Sequence, residues 1–182
     1  KIVDVGYNDD NAVEIARYFD GNMSAKIEDR VPLLEASSSD AYFEFINPLV
    51  FSQFGLGFEI PLTSDGRKQS ATSVTITLTD YFDADNKYEI EVSGRNGRYA
   101  ATIGGESYSL DSDWNGVKVP IKISGGTLLI GTRNIEAVNK FAGDLCFMSV
   151  KFGGVSSGFK VKVNEICNQS LTTVSATSTK VS

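Results

Sequence analysis

SVTITLTDYFDADNKYEIEV, residues 73–92, decides the fold. Before its centre Val74, Ile76 and Leu78 alternate with Thr75, Thr77 and Thr79, and after it Tyr88, Ile90 and Val92 alternate with Lys87, Glu89 and Glu91. A period of two sends alternate side chains to opposite faces of an extended chain, so each half is a half-buried β-strand and the acidic middle is the connection between them.

The same alternation recurs in AYFEF (41–45), LGFEIPL (56–62), GVKVPIKI (116–123), LCFMSVKF (145–152) and FKVKVNEI (159–166). Asn96-Gly97, Gly104-Gly105 and Gly125-Gly126 are dipeptides that take the positive backbone angles of tight hairpins, so residues 88–130 read as a meander. Pro120 lacks an N–H for a ladder and points to an edge strand or a bulge. NAVEIARYF (11–19) fits either a capped helix, through Asn11 and Glu14, or a strand, through Val13, Ile15 and Phe19; strand is the preferred reading. Many short strands, tight turns and little helix predict an all-β fold, a two-sheet antiparallel β-sandwich over 1–170. Residues 171–182 form a Ser/Thr-rich tail or a linker to a following module.

Composition narrows the chemistry. The chain has 182 residues, the size of one domain, with 41% apolar and 22% charged residues. Nothing approaches the run of roughly 18 apolar residues that a membrane helix needs, so no membrane span is expected. The first residues, KIVDVGYNDD, read as interior sequence, and any targeting segment is expected to have been removed. A net charge of -6 without a Lys/Arg cluster argues against nucleic acid. The absence of histidine excludes Ser-His and Cys-His nucleophile pairs, His acid–base chemistry and His-ligated metals. Carboxylate chemistry, oxygen-ligated cations and plain binding remain.

Three constellations are candidates. Asp80, Asp83, Asp85 and Asn86 offer the oxygens calcium takes, without the spacing of an EF-hand loop; the same residue types close turns with no ion. Trp114 stands beside Asp111, Asp113 and Asn115, where its ring can stack on a sugar while its neighbours bond hydroxyls, or can instead plug the end of the core. Cys146 and Cys167 come opposite each other if GGVSSG closes a hairpin that pairs Phe152 with Val161 and Val150 with Val163. That register permits a disulfide, while two buried thiols are the other reading. Paired acids of a glycosidase have no clear match: EIEV places Glu89 and Glu91 on the solvent face of an amphipathic strand.

The order of features resembles a concanavalin A-like lectin/glucanase jelly roll of the laminin-G-like kind. The resemblance rests on VPLLEASSSDAYFEFINPLVFSQFGLGFEI, SVTITLTDYFDADNKYEIEV, NGRYAATIGG, GTLLIG, and LCFMSVKFGGV with FKVKVNEICNQSL. It is closest to modules of surface proteins of Gram-positive bacteria, where Ig-like modules often follow. It implies an exported, surface-displayed module, and the missing paired-acid strand departs from the hydrolase members. The resulting expectation is a non-catalytic module that binds carbohydrate or mediates adhesion, with glycans as partners and calcium as an optional ion. A structural spacer and a carboxylate glycosidase are the alternatives.

Overall fold

The computed structural model describes residues 19–170 apart from 29–30, 47, 54, 70, 96–97, 111–117, 125, 138–140 and 167–168. Its strands are β1 (Phe19–Gly21), β2 (Ser24–Glu28), β3 (Val31–Glu35), β4 (Ala41–Phe45), β5 (Leu49–Val50), β6 (Gly55–Glu59), β7 (Ser73–Asp80) and β8 (Lys87–Arg95). There follow β9 (Arg98–Ile103), β10 (Glu106–Leu110), β11 (Lys118–Ser124), β12 (Thr127–Ile130), β13 (Arg133–Glu136), β14 (Leu145–Gly153), β15 (Lys160–Ile166) and β16 (Gln169–Ser170). The helical content among the described residues is one short 3-10 turn, Phe51–Gln53. No helix among them is long and apolar enough to cross a membrane.

The strands form two antiparallel sheets. The first runs β1-β4-β14-β7-β8-β9-β10, with β5 also on β14; the second runs β13-β12-β11-β6-β15-β3-β2, with β16 also on β15. The chain passes repeatedly from one sheet to the other, as in a jelly roll. The alternation read from the sequence explains why the sheets face each other. Val74, Ile76, Leu78, Ile90, Val92, Met148, Val150 and Phe152 of the first sheet and Ile121, Ile123, Val161 and Val163 of the second are all buried in a single core. Each large aliphatic side chain so buried contributes roughly 1.5–3 kcal/mol. The outward positions are mostly polar: Glu44, Glu89, Glu91, Lys87 and Lys151 stand on the first sheet, and on the second Lys122, Lys160 and Lys162 alternate with core residues, Lys160 and Lys162 facing Glu35 and Glu59.

The tight turns fall where the glycines predict them. Ile103 pairs with Glu106 across Gly104 and Gly105, whose φ values of 59° and 84° are those of a type I′ turn. Arg95 pairs with Arg98 and Ser124 with Thr127, so those connections are also two residues long. The 11–19 segment lies outside the described residues except for Phe19, which opens β1, and the 171–182 tail lies wholly outside them.

Three expectations are corrected. Residues 88–130 are not one meander, because β8 to β10 belong to the first sheet and β11 and β12 to the second. Pro120 is not on an edge: β11 lies between β12 and β6, and its ladder runs from Lys118↔Glu59 to Lys122↔Gly55 without a shift, Pro120 facing Gly57. The register break comes one strand further on, in β15 between Val163 and Glu165, where Glu165 faces the same Gly57. Finally, GGVSSG is not a hairpin loop. Strand β14 pairs with β4, β5 and β7, whereas β15 pairs with β3, β6 and β16, so the loop arches from one sheet to the other. Phe152 and Phe159 then meet across the core, ring centroids 5.4 Å apart, and Val155 is buried under the arch. Alternation alone could not separate the two arrangements, since in both the apolar faces of the strands turn to the same core. The register argument for a Cys146–Cys167 bond falls with the hairpin. Cys146 is buried in the core, opposite Asp80 of β7 and Leu49 of β5, and Cys167 lies outside the described residues.

Candidate functional site

The 73–92 stretch forms the hairpin β7–β8, with Thr79 facing Lys87. Asp80 continues the buried face of β7 and is the one buried charged side chain among the described residues, 5% exposed. Its burial is compensated by hydrogen bonds. Oδ1 accepts the Phe82 N–H at 2.9 Å, Oδ2 accepts Asn86 Nδ2 at 3.0 Å, and the Asp80 N–H donates to the Asn86 carbonyl at 2.9 Å. Asp83 accepts the Asp85 N–H through Oδ1 at 3.0 Å, and the Asn86 N–H donates to the Asp83 carbonyl, also at 3.0 Å. The structure thus brings Asp80, Asp83, Asp85 and Asn86 together as the internal scaffold of a turn. Both oxygens of Asp80 and one of Asp83 already accept hydrogen bonds, and no group of three or more carboxylates or thiols among the described residues is placed to hold a metal.

What this scaffold presents is aromatic. Tyr81 and Phe82 project from the loop, 47% and 67% exposed, with Phe147 of β14 beside them at 37%. Tyr81 stacks on Phe147 with centroids 5.4 Å apart and meets Phe82 edge-on at 5.0 Å. The Tyr81 N–H donates to the Leu145 carbonyl at 3.0 Å, which ties the loop to β14. Phe82 lies over Gly143, where a Cβ would overlap its ring. Asp144, next in the chain, adopts a left-handed backbone (φ 54°) that Asp tolerates. Its carboxylate accepts both the N–H of Ser52, at 3.0 Å, and the Ser52 hydroxyl, and its carbonyl accepts the Phe51 N–H at 2.9 Å. The cluster therefore stands on a hydrogen-bonded base.

All the large apolar side chains exposed among the described residues, Leu62 excepted, belong to this first sheet or its loops: Tyr42, Ile46, Val50, Tyr81, Phe82 and Phe147. Across the outer face the register sets Phe147, Thr79 and Lys87 in one row, Ser149, Thr77 and Glu89 in the next, and Lys151, Thr75, Glu91 and Thr102 in a third. Beyond these rows, at the Gly104–Gly105 turn, lies a depression of about 700 Å³. Lys87, Glu89, Glu91 and Thr102 line it from the first sheet, Glu136 from the second, with Tyr88 and Ile103 as its apolar part. Burial, reinforced by the nearby Tyr108, pushes the Tyr88 hydroxyl above the usual tyrosine range.

Trp114, Asp111, Asp113 and Asn115 lie outside the described residues. The aromatic cluster was missed in the sequence, although a signal for it exists. Tyr81 and Phe82 are bulky rings inside an otherwise acidic loop, and Phe147 sits at a polar-phase position of LCFMSVKF, where a solvent-facing strand ordinarily carries Thr, Ser or a charge.

No protein-family model matches the chain, and no curated protein sequence matches it. Solved structures do resemble it. A legume lectin-like domain from Entamoeba histolytica aligns with TM-score 0.49 and 12% identity over 84% of this chain and 89% of its own. The exoplasmic/lumenal domain of VIP36, in a form bound to Ca2+ and mannose, aligns with TM-score 0.48 and 10% identity over 80% and 82%. An alginate lyase from Pseudomonas aeruginosa aligns with TM-score 0.48 and 11% identity over 78% and 83%. Lectins and an enzyme resemble this chain to the same degree, so the likeness selects no activity.

Proposed function

We propose that the chain is a non-catalytic carbohydrate-binding module that works outside the cell. The observation that carries this reading is the exposed cluster of Tyr81, Phe82 and Phe147, fixed by backbone and side-chain hydrogen bonds at the edge of a polar face. Three large rings left in water by the fold forgo the stabilisation that burial would bring. A pyranose has one face of C–H groups that packs on such rings and a rim of hydroxyls that needs hydrogen-bonding neighbours. Thr77, Thr79, Asp83 and Asp85 supply those neighbours. Adhesion through a surface glycan and display beside other modules, on a bacterial cell, belong to the same proposal; detection of the protein in the extracellular or cell-wall fraction tests it.

The test is a glycan array with the wild type, Tyr81→Ala and Phe147→Ala, each with and without calcium. Binding is expected for the wild type and is expected to fall by tenfold or more, about 1.4 kcal/mol or greater, in both variants while the melting midpoint stays near that of the wild type. Wild-type binding untouched by either change would move the site elsewhere, and Trp114→Ala would then be the next variant. Absence of binding in every condition would favour the spacer reading.

A second reading has its own observation. Glu89 and Glu91 share a face of β8 two residues apart, roughly 6.5–7 Å along the strand, and both line the depression. Paired acids of glycosidases stand at roughly 5–9.5 Å. Both side chains are exposed rather than enclosed. Release of reducing ends from oligosaccharides, abolished by Glu89→Gln or Glu91→Gln, would establish hydrolysis in place of simple binding.

A further inference from the structure

Resting on the glycan-binding reading above, we infer that the first sheet takes an internal stretch of a linear, non-acidic glycan, laid across the strands from the aromatic cluster to the depression at Gly104–Gly105. A single sugar or a chain end held in a closed pocket is the arrangement this excludes.

The length of the occupant follows from the register. Phe147, Thr79 and Lys87 are partners on three adjacent strands, so the cluster at one end and the rim of the depression at the other are two strand spacings apart, roughly 10 Å. That exceeds one sugar ring and suits a short run of them. Between the two ends Thr75, Thr77 and Thr79 run along β7, the middle strand of this path, with Ser149 of β14 opposite Thr77, and all four are half-buried. These hydroxyls offer donors and acceptors to a ring that crosses the middle strand.

The chemistry of the occupant follows from the charge on the same face. Glu44, Glu89 and Glu91 point outward from the sheet, Asp83 and Asp85 are exposed on the loop, and Glu136 joins them in the depression. Against these stand Lys87 and Lys151, and Lys151 is already 3.4 Å from Asp40. On the opposite outer face acids and bases alternate, Lys160 facing Glu35 and Lys162 facing Glu59. A polyuronate or sulfated chain on the first sheet would meet like charge along its whole length, whereas rings bearing hydroxyl, acetamido or amino groups would not.

The experiment is calorimetric titration of the whole chain with three series of oligomers, each from monosaccharide to hexasaccharide: cello-oligosaccharides, N-acetylglucosamine oligomers and oligogalacturonates. In at least one of the first two series affinity is expected to rise on the order of tenfold or more from monomer to tetramer. Oligogalacturonates are expected to bind at least tenfold more weakly than the matching oligomer of that series. Thr77→Val, which keeps the β-branched shape and removes a hydroxyl between the two ends, is expected to weaken the longer oligomers by a larger factor than the monomer. Equal affinity for monomer and hexamer, or binding of oligogalacturonate as tight as its neutral counterpart, overturns the inference and leaves the glycan reading standing. Failure of all three series to bind overturns both for these sugars.

Discussion

At the scale of single residues, Asp80 and Tyr88 show how the fold around the site depends on groups turned wholly or partly into the core. Asp80 is buried with both oxygens occupied, so its removal strands the Phe82 N–H and the Asn86 amide. Asp80→Ala is expected to destabilise the protein by roughly 1–3 kcal/mol, read as a lower denaturant midpoint, and to loosen Tyr81 and Phe82 together. Tyr88 makes a different prediction. Its hydroxyl holds its proton more tightly in the folded chain than in the unfolded one, through burial first and the charge of Tyr108 second. Above pH ~10 the unfolded chain therefore gives up this proton more readily than the folded one, and stability falls as pH rises through that range. Tyr88→Phe keeps the ring that meets Phe51 edge-on at 5.5 Å and removes the titrating group. Its unfolding midpoint is expected to decline less steeply on the alkaline side than that of the wild type.

At the scale of elements, the aromatic cluster is assembled from a hairpin loop, a strand and the segment that leads into that strand. Gly143 is the point where they touch. Gly143→Val would drive a side chain into the ring of Phe82, which is exposed and can swing away. The expected result is a protein that melts near the wild-type midpoint and has lost glycan affinity with all three rings still in the sequence. The hairpin that frames this loop was legible in the sequence because Val74, Ile76 and Leu78 and then Ile90 and Val92 keep strict period-two order, and their burial is near complete. The Gly104–Gly105 turn was legible for the same kind of reason, since few dipeptides accept two positive φ angles. The rest was not, for identifiable causes. A strand's alternation says which side faces the core but not which sheet it joins, and β14 and β15 exploit that freedom. The aromatic site was hidden because its members are distant in sequence, Tyr81 against Phe147, and meet only once β7 and β14 pair.

For the whole molecule, the division of labour between sheets is the main result. Threonines and exposed rings collect on the outer face of the first sheet, where Glu44, Glu89 and Glu91 outnumber Lys87 and Lys151, whereas on the second sheet Lys160 and Lys162 face Glu35 and Glu59. Calcium is tested at this scale. Because Asp80 and Asp83 already tie the 80–86 loop together by hydrogen bonds, a thermal melt in millimolar calcium followed by chelator is expected to leave the midpoint unchanged. A reversible upward shift would instead show an ion bound to the native state.

The position of β15 has a consequence for biosynthesis. This strand sits between β3 and β6, which are translated long before it, and it is bordered by them through most of its length. While the chain is still emerging from the ribosome, β3 and β6 lack their common neighbour, and the second sheet is split into two pieces with unpaired edges. Stable folding must therefore wait until synthesis has passed Ile166 and that strand has cleared the exit tunnel, and a nascent chain stalled earlier presents edges open to chaperones or to the wrong partner.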